Sequence, residues 1–282
     1  MKKTFDKNKI KLAAFDIDGT IFQDGRMSEV VGSAIVRLSN SGVIAVLSTG
    51  RMHYGIPEGI MNLGVFRYGV LANGAFIWDF KEKCLVAGRA FERDTADKVL
   101  NLMDSLTDAY FVAFEKESCL TPRHLELLRR NVALEKPKDG SSPKEIYPTF
   151  ENLPAHVAAI SDPIYKMGCR FDTPEECADA APKIDESCPV EVSSTGGKDL
   201  EITAPGVNKG SGVLMLCEHL GLDISNVIAF GDSGNDVALF EVAGFSVALE
   251  NGLDSAKKAA DYIAPSVYED GVAKIIEEMF RI

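Results

Sequence analysis

Ile10-Lys11-Leu12-Ala13-Ala14-Phe15-Asp16-Ile17-Asp18-Gly19-Thr20 decides how this chain folds. Apolar but for Lys11 as far as Phe15, the run then turns abruptly acidic. Such a run predicts a short strand buried on both faces of a sheet, with Asp16 to Thr20 at its carboxyl end. Outward from it, residues 28–41 place Val31, Ala34, Ile35 and Leu38 on one helical face. Ser28 can cap that helix and Gly42 can end it. Residues 43–48 predict a second buried strand and 69–72 a third. Strand, helix and strand in this rhythm imply right-handed parallel crossovers and an α/β sheet. Asn73-Gly74 then turns the chain into residues 75–79, which pair with 83–88 as a hairpin.

The middle of the chain reads differently. Residues 95–106 predict an amphipathic helix through Ala96, Val99, Leu100 and Met103. Residues 110–114, 165–171, 190–193 and 200–203 are strand-like, 124–134 and 176–185 are helical, and 136–148 reads as a loop. The opening rhythm resumes with a helix over 208–220, capped by Asn208 and ended by Gly221. A buried strand over 227–230 follows, then strands over 245–249 and 262–264, and a closing helix over 270–280. The simplest organisation is a discontinuous core, residues 1–85 and 199–282, with residues 86–198 inserted as a second domain.

Composition narrows the partners. The chain has 282 residues, 46% hydrophobic and 26% charged, as in an ordinary globular protein. A formal net charge of -12 disfavours nucleic acid and anionic membrane surfaces but not a small anionic substrate. The charged start has no apolar run of signal-peptide type, and no stretch reaches the roughly 18 apolar residues of a membrane span. The 6 cysteines are scattered and form no Cys-x-x-Cys pair. Reduced thiols in a cytoplasmic protein are the expectation. Oligomeric state is not legible.

Ligands bind outside the carboxyl ends of strands in open α/β sheets. Four polar clusters fall there or at a helix start: Asp16 to Thr20, Ser48-Thr49-Gly50-Arg51, Asn208-Lys209-Gly210, and Gly231-Asp232-Ser233-Gly234-Asn235-Asp236. Each alone has a bland explanation. Asp-x-Asp-Gly-Thr is good turn chemistry, and a lone lysine is usually solvated. Their agreement in order and placement is the stronger signal. Asp16, Asp18 and Asp232 would crowd negative charge into one mouth, which is costly unless a cation joins them. An all-oxygen donor set favours Mg²⁺ over zinc. Backbone N–H groups near Thr49-Gly50 and Lys209 are candidates to hold phosphate oxygens.

In this order the clusters resemble the four motifs of the haloacid dehalogenase superfamily of phosphohydrolases. Asn73-Gly74-Ala75, Val207-Asn208-Lys209-Gly210, Ala260-Asp261-Tyr262 and Glu269-Asp270-Gly271-Val272-Ala273 narrow the resemblance to its Cof-like, class IIB branch. It covers nearly the whole core and is weaker across the middle. It implies a Rossmann-like parallel-sheet core with an inserted α/β cap, and a phosphatase acting on a small phosphorylated metabolite. Asp16 would be the nucleophile, forming an aspartyl-phosphate, and Asp18 the acid and base. Asp16, Asp232 and the Asp18 carbonyl would hold Mg²⁺. Thr49, Gly50 and Lys209 would bind phosphate, Asn235 would contact phosphate or a metal-bound water, Lys209 would also orient Asp16, and Asp236 would support it from behind. Leu249-Glu250-Asn251 departs from a common Met-Gly-Asn run. Arg123, His124, Lys166 and Arg170 are candidate cap contacts, each equally readable as surface charge. A phosphomutase of the same superfamily and a non-enzymatic phosphate-binding module remain as alternatives. Asp18 argues against a dehalogenase, which needs no proton for its leaving halide.

Overall fold

The computed structural model describes residues 3–131, 147–194 and 197–282. The opening run forms β1, Leu12–Phe15, buried at every position. Ala13 and Phe15 enter one apolar layer with Val31 and Ile35 of the Glu29–Asn40 helix and Ile275 and Ile276 of the Gly271–Phe280 helix. Leu12 and Ala14 enter the opposite layer with Val213 and Leu216 of the Lys209–Leu220 helix and Leu239 and Phe240 of the Val237–Val242 helix. Successive strand side chains point to opposite faces, so a strand between two helical layers must be apolar throughout. Phe15 also stacks on Phe230 with ring centroids 5.0 Å apart. Truncating so buried an aromatic costs about 3–5 kcal/mol.

The following strands are β2 (Ile44–Ser48), β3 (Tyr68–Leu71), β4 (Phe76–Asp79), β5 (Cys84–Gly88), β6 (Tyr110–Phe114) and β7 (Ser118–Leu120). Then come β8 (Ile164–Arg170), β9 (Glu191–Ser193), β10 (Asp199–Thr203), β11 (Val227–Gly231), β12 (Phe245–Leu249) and β13 (Tyr262–Ala264). One sheet has eight strands in the order β13-β12-β11-β1-β2-β3-β4-β5. It is parallel from β13 to β3, and β4 and β5 add an antiparallel edge. The fold is the expected α/β parallel-sheet core. The other sheet is five-stranded and antiparallel, in the order β7-β6-β8-β10-β9.

The chain divides into two compact units, Met1–Gly88 with Val207–Ile282, and Arg89–Gly206. The crossings therefore differ from the expected 85/86 and 198/199. β5 pairs with β4 and stays with the first unit. β10 pairs with β8 and β9, so residues 199–206 belong to the second. Periodicity identifies a strand but not the sheet it joins.

Local signals hold at the helix ends. Ser28 Oγ accepts from Val31 N, and Gly221 ends the Lys209–Leu220 helix at φ 67°. Helices at Leu153–Ala158, Val237–Val242 and Asp254–Ala259, and the strand β7, were not anticipated; they are too short for a periodic signal. The helix expected over 124–134 spans Pro122–Asn131. The remainder of it, and the expected loop apart from Tyr147 and Pro148, lie outside the described residues. Among the described residues no helix is long and apolar enough to cross a membrane.

Candidate active site

β1 and β11 are parallel neighbours at the middle of the sheet. Their carboxyl ends carry Asp16 and Asp232. Asp16 N donates to Phe230 O at 3.0 Å, and the residue is 5% exposed. Lys209 reaches it from the first turn of its own helix, which Asn208 caps by accepting from Ser211 N at 2.9 Å. Fully buried, Lys209 Nζ lies 2.8 Å from Asp16 Oδ1 and 2.6 Å from Asp236 Oδ1.

Asp236 is engaged through both oxygens. Its Oδ2 accepts from the backbone N–H groups of Asp232 and Ser233, both at 2.9 Å. It thus holds the turn after β11 in place and anchors Lys209. Asp232 Oδ1 accepts from Thr20 Oγ1 at 3.1 Å. Its carboxylate packs so tightly on Gly19, at φ 78°, that a Cβ there would meet Asp232 Oδ2 at 2.4 Å. Only glycine fits both that conformation and that contact. Asn251 pins the same loop, donating from Nδ2 to Gly19 O at 2.9 Å while its Oδ1 accepts from Val267 N.

The electrostatics are those of an incompletely neutralised cluster. Burial raises Asp16 well above the ordinary carboxylate range; Lys209 works against this, and Asp236 and Asp232 add to it. Burial and then Asp236 push Asp232 up to about 6. Burial would lower Lys209, but Asp16 and Asp236 outweigh it and hold the ammonium firmly charged. Asp16, Asp232 and Asp236 each offer an oxygen, and these lie within 4.8 Å of one another. With the carboxylates ionised and Lys209 charged, the cluster keeps net negative charge, so a hard divalent cation fits it.

The other expected residues fall into distinct places. The Asp18 carboxylate is not in this cluster. Its side chain is 56% exposed and meets Arg51 in a bidentate pair, Nε at 2.8 Å and Nη2 at 2.7 Å. Arg51 is in turn held by Gly55 O at 2.7 Å. Thr49, at the end of β2, commits its backbone N–H to Val70 O at 3.0 Å. It therefore offers a hydroxyl to a ligand, not the amide expected from sequence; Gly50 follows it in the same loop. Asn235 is buried, its Oδ1 accepting from Ser233 Oγ at 2.7 Å and its Nδ2 donating to Asn73 Oδ1 at 3.1 Å. Arg51 and Asn73 lie in the motifs Ser48-Thr49-Gly50-Arg51 and Asn73-Gly74-Ala75, which state no role for them. Their signal was their place at strand ends beside the clusters.

In the second unit, Lys166 pairs with Glu201, Arg170 with Asp199 at 3.2 Å, and Arg123 with Asp172 and Glu126. His124 is buried against the Phe111 ring.

The profile of the haloacid dehalogenase-like hydrolases matches residues 13–276. A 5-amino-6-(5-phospho-D-ribitylamino)uracil phosphatase of Bacillus subtilis is 28% identical over 95% of this chain and 94% of its own length. An Escherichia coli phosphatase of the same name is 26% identical, covering 96% of this chain and 97% of its own. A haloacid dehalogenase-like hydrolase of B. subtilis superposes with a TM-score of 0.83 at 22% identity, over 95% of this chain and 99% of its own. A subclass IIB sugar phosphatase superposes at 0.76 and 20% identity, over 96% and 100%. At such identities the structural likeness establishes the fold alone.

Proposed function

We propose, from the premise that this chain belongs to the haloacid dehalogenase-like hydrolases, that it is a Mg²⁺-dependent phosphatase of a small phosphorylated metabolite, working through an aspartyl-phosphate on Asp16. The observation that carries this reading is the buried Lys209 ammonium joining Asp16 to Asp236, with Asp232 alongside. A carboxylate so placed is fixed in orientation and cannot be hydrated freely, as a nucleophile requires.

Asp16, Asp232 and the Asp18 main-chain carbonyl would hold the cation. When bound, it supplies positive charge to the phosphoryl oxygens and to the crowded carboxylates. An Asp16 oxygen attacks phosphorus as the ester P–O bond breaks, and Asp18 gives its proton to the departing oxygen. Water then attacks the same phosphorus, Asp18 takes its proton, and the Asp16–phosphorus bond breaks to release orthophosphate. Lys209, the Thr49 hydroxyl and the Asn235 amide hold phosphoryl oxygens in place. The Asp18 carboxylate, 56% exposed and held by Arg51 at its solvent-facing end, would serve both proton transfers.

The first unit would carry the chemistry and the second would act as the cap that selects the leaving group. The names of the relatives favour a phosphorylated polyol or sugar. We place the protein in the cytoplasm, in keeping with six free cysteines, most of them buried. The test is orthophosphate release from a panel of phosphorylated sugars and polyols, with and without Mg²⁺, beside acid-quenched mass mapping of the Phe15–Thr20 peptide. Turnover by Asp16→Asn at the wild-type rate would sink the nucleophile assignment. Phosphoryl transfer to a sugar without phosphate release would favour a mutase.

A further inference from the structure

The loop between β3 and β4 carries an unusual backbone. Ala72, Asn73 and Gly74 take consecutive left-handed conformations, with φ of 51°, 56° and 93°. Alanine rarely adopts this region, and asparagine does so only with local support. Such strain persists where the surroundings overdetermine it, and it concentrates at functional sites. Here the surroundings are all parts of the candidate active site. Ala72 N donates to Arg51 O at 3.0 Å and Asn73 N to Thr49 O at 3.1 Å. Gly74 packs so closely on the helix that presents Lys209 that a Cβ would sit 2.0 Å from Asn208 O. The Asn73 side chain is 3% exposed, and its Oδ1 accepts from Asn235 Nδ2.

We propose that Asn73 is a positioning residue for phosphate binding, bridging the Thr49 loop to Asn235 and fixing the Asn235 amide. The inference rests on the phosphatase reading above and deepens it. Ser233 Oγ and Asn73 Oδ1 hold the two ends of the Asn235 amide in one orientation. That leaves the second Nδ2 hydrogen directed by the protein, ready for a phosphoryl oxygen. The left-handed turn is the device that brings an acceptor from β3 across to a residue 162 positions later in the chain.

Asn73→Gly separates the two roles, because glycine accepts the left-handed backbone but removes the acceptor. The expected result is an orthophosphate inhibition constant about tenfold weaker, the worth of roughly one hydrogen bond, with kcat/KM falling in parallel. Asn235→Ala should produce the same change, and the double variant should be no worse than either single one. An unchanged inhibition constant in Asn73→Gly, or losses that multiply in the double variant, overturns the proposal. If Asn73→Gly does not fold, the wild-type Asn235 side-chain amide is read by NMR. Two separated, exchange-protected resonances that persist in Asn73→Asp, which keeps the acceptor, are expected; averaged, rapidly exchanging ones overturn the bridge. Wild-type protein that neither binds orthophosphate nor turns over any ester refutes the phosphatase reading instead, whatever Asn73→Gly does.

Discussion

Replacing Lys209 with methionine tests the centre of the site most directly. The side chain is fully buried, with carboxylate oxygens at 2.8 and 2.6 Å. At an effective dielectric of about 20, each contact is worth about 6 kcal/mol of Coulomb attraction. Most of this is offset by the cost of drying the three ions, several kcal/mol apiece. Methionine keeps the volume and removes the charge, leaving Asp16 and Asp236 buried without their cation. Breaking a buried pair in this way costs about 3–5 kcal/mol, against a total of about 5–15 kcal/mol for a typical domain.

The assay is urea unfolding followed by Trp78 fluorescence. Trp78 is the single tryptophan and lies in β4 of the same unit, so the signal reports the part that is perturbed. Asp236→Asn should restore part of the loss, since its amide oxygen can still accept from Asp232 N and Ser233 N. The pH dependence has a definite sign. Without Lys209, Asp16 loses what holds its raised value in check. An acid raised in the folded state keeps a proton that the unfolded chain releases, so stability falls as pH rises above the unfolded value near 4. The gap between variant and wild type should therefore be full at pH 7.5 and narrow toward pH 4. A gap below about 1 kcal/mol at pH 7.5, or one that does not narrow, refutes the argument.

Arg51→Lys loses the bidentate hold on Asp18, so kcat/KM for alkyl phosphates should fall about 10- to 100-fold, while p-nitrophenyl phosphate, whose leaving group needs no proton, changes less than about threefold; equal losses would remove Arg51 from proton transfer. Burial, with Arg170 and Lys166 adding to it, lowers His124 to about 4. The unfolded histidine takes up its proton near pH 6.5, so stability is lost as pH falls from there to about 4. By pH 4.5 the wild type should have lost about 2.5 kcal/mol more than His124→Gln, read by urea titration; parallel pH profiles would contradict this. Chelation should abolish turnover, and Mg²⁺ should raise the melting temperature less at pH 5 than at pH 8, because protons compete for Asp232 at about 6. An Mg²⁺ effect independent of pH would count against Asp232 as a ligand.

The sequence is most informative where one residue type at one position has a local cause. An apolar run ending in Asp16, a cap at Asn208 and a stop at Gly221 each follow from rules spanning a few residues. The placement of Asp16, Lys209, Asp232 and Asp236 at one sheet edge follows from parallel topology. What stays hidden depends on side chains meeting across the chain. Arg51 and Asp18 are 33 positions apart, and Asn73 and Asn235 162. No periodicity encodes either pair. The engagement of the Thr49 N–H with Val70 depends on how β2 and β3 are registered, which the motif Ser48-Thr49-Gly50-Arg51 does not state. β10 is hidden for a related reason: Asp199–Thr203 reads as a strand, but its sheet is decided by its pairing with β8 and β9.

Asp16 and Asp18 are separated by one residue and live in opposite surroundings, and that contrast suits the proposed division of nucleophile from acid and base. Asp16 is buried and tied to an ammonium, so it is held at one point, with Lys209 opposing the burial that disfavours its charge. Such a group can attack but is poorly placed to swing between a leaving oxygen and a water. Asp18 is more than half exposed and joined to an arginine whose own side chain is 33% exposed. It can shift between two oxygens at little cost in desolvation. If the roles were reversed, the solvated carboxylate would have to shed its water to attack, and the buried one would have to carry a proton past Lys209. The Asp-x-Asp spacing gives the two carboxylates these different surroundings because the strand ends at Phe15. Asp16 still follows the sheet's direction into the interior, and Gly19, at φ 78°, turns the chain away just after Asp18.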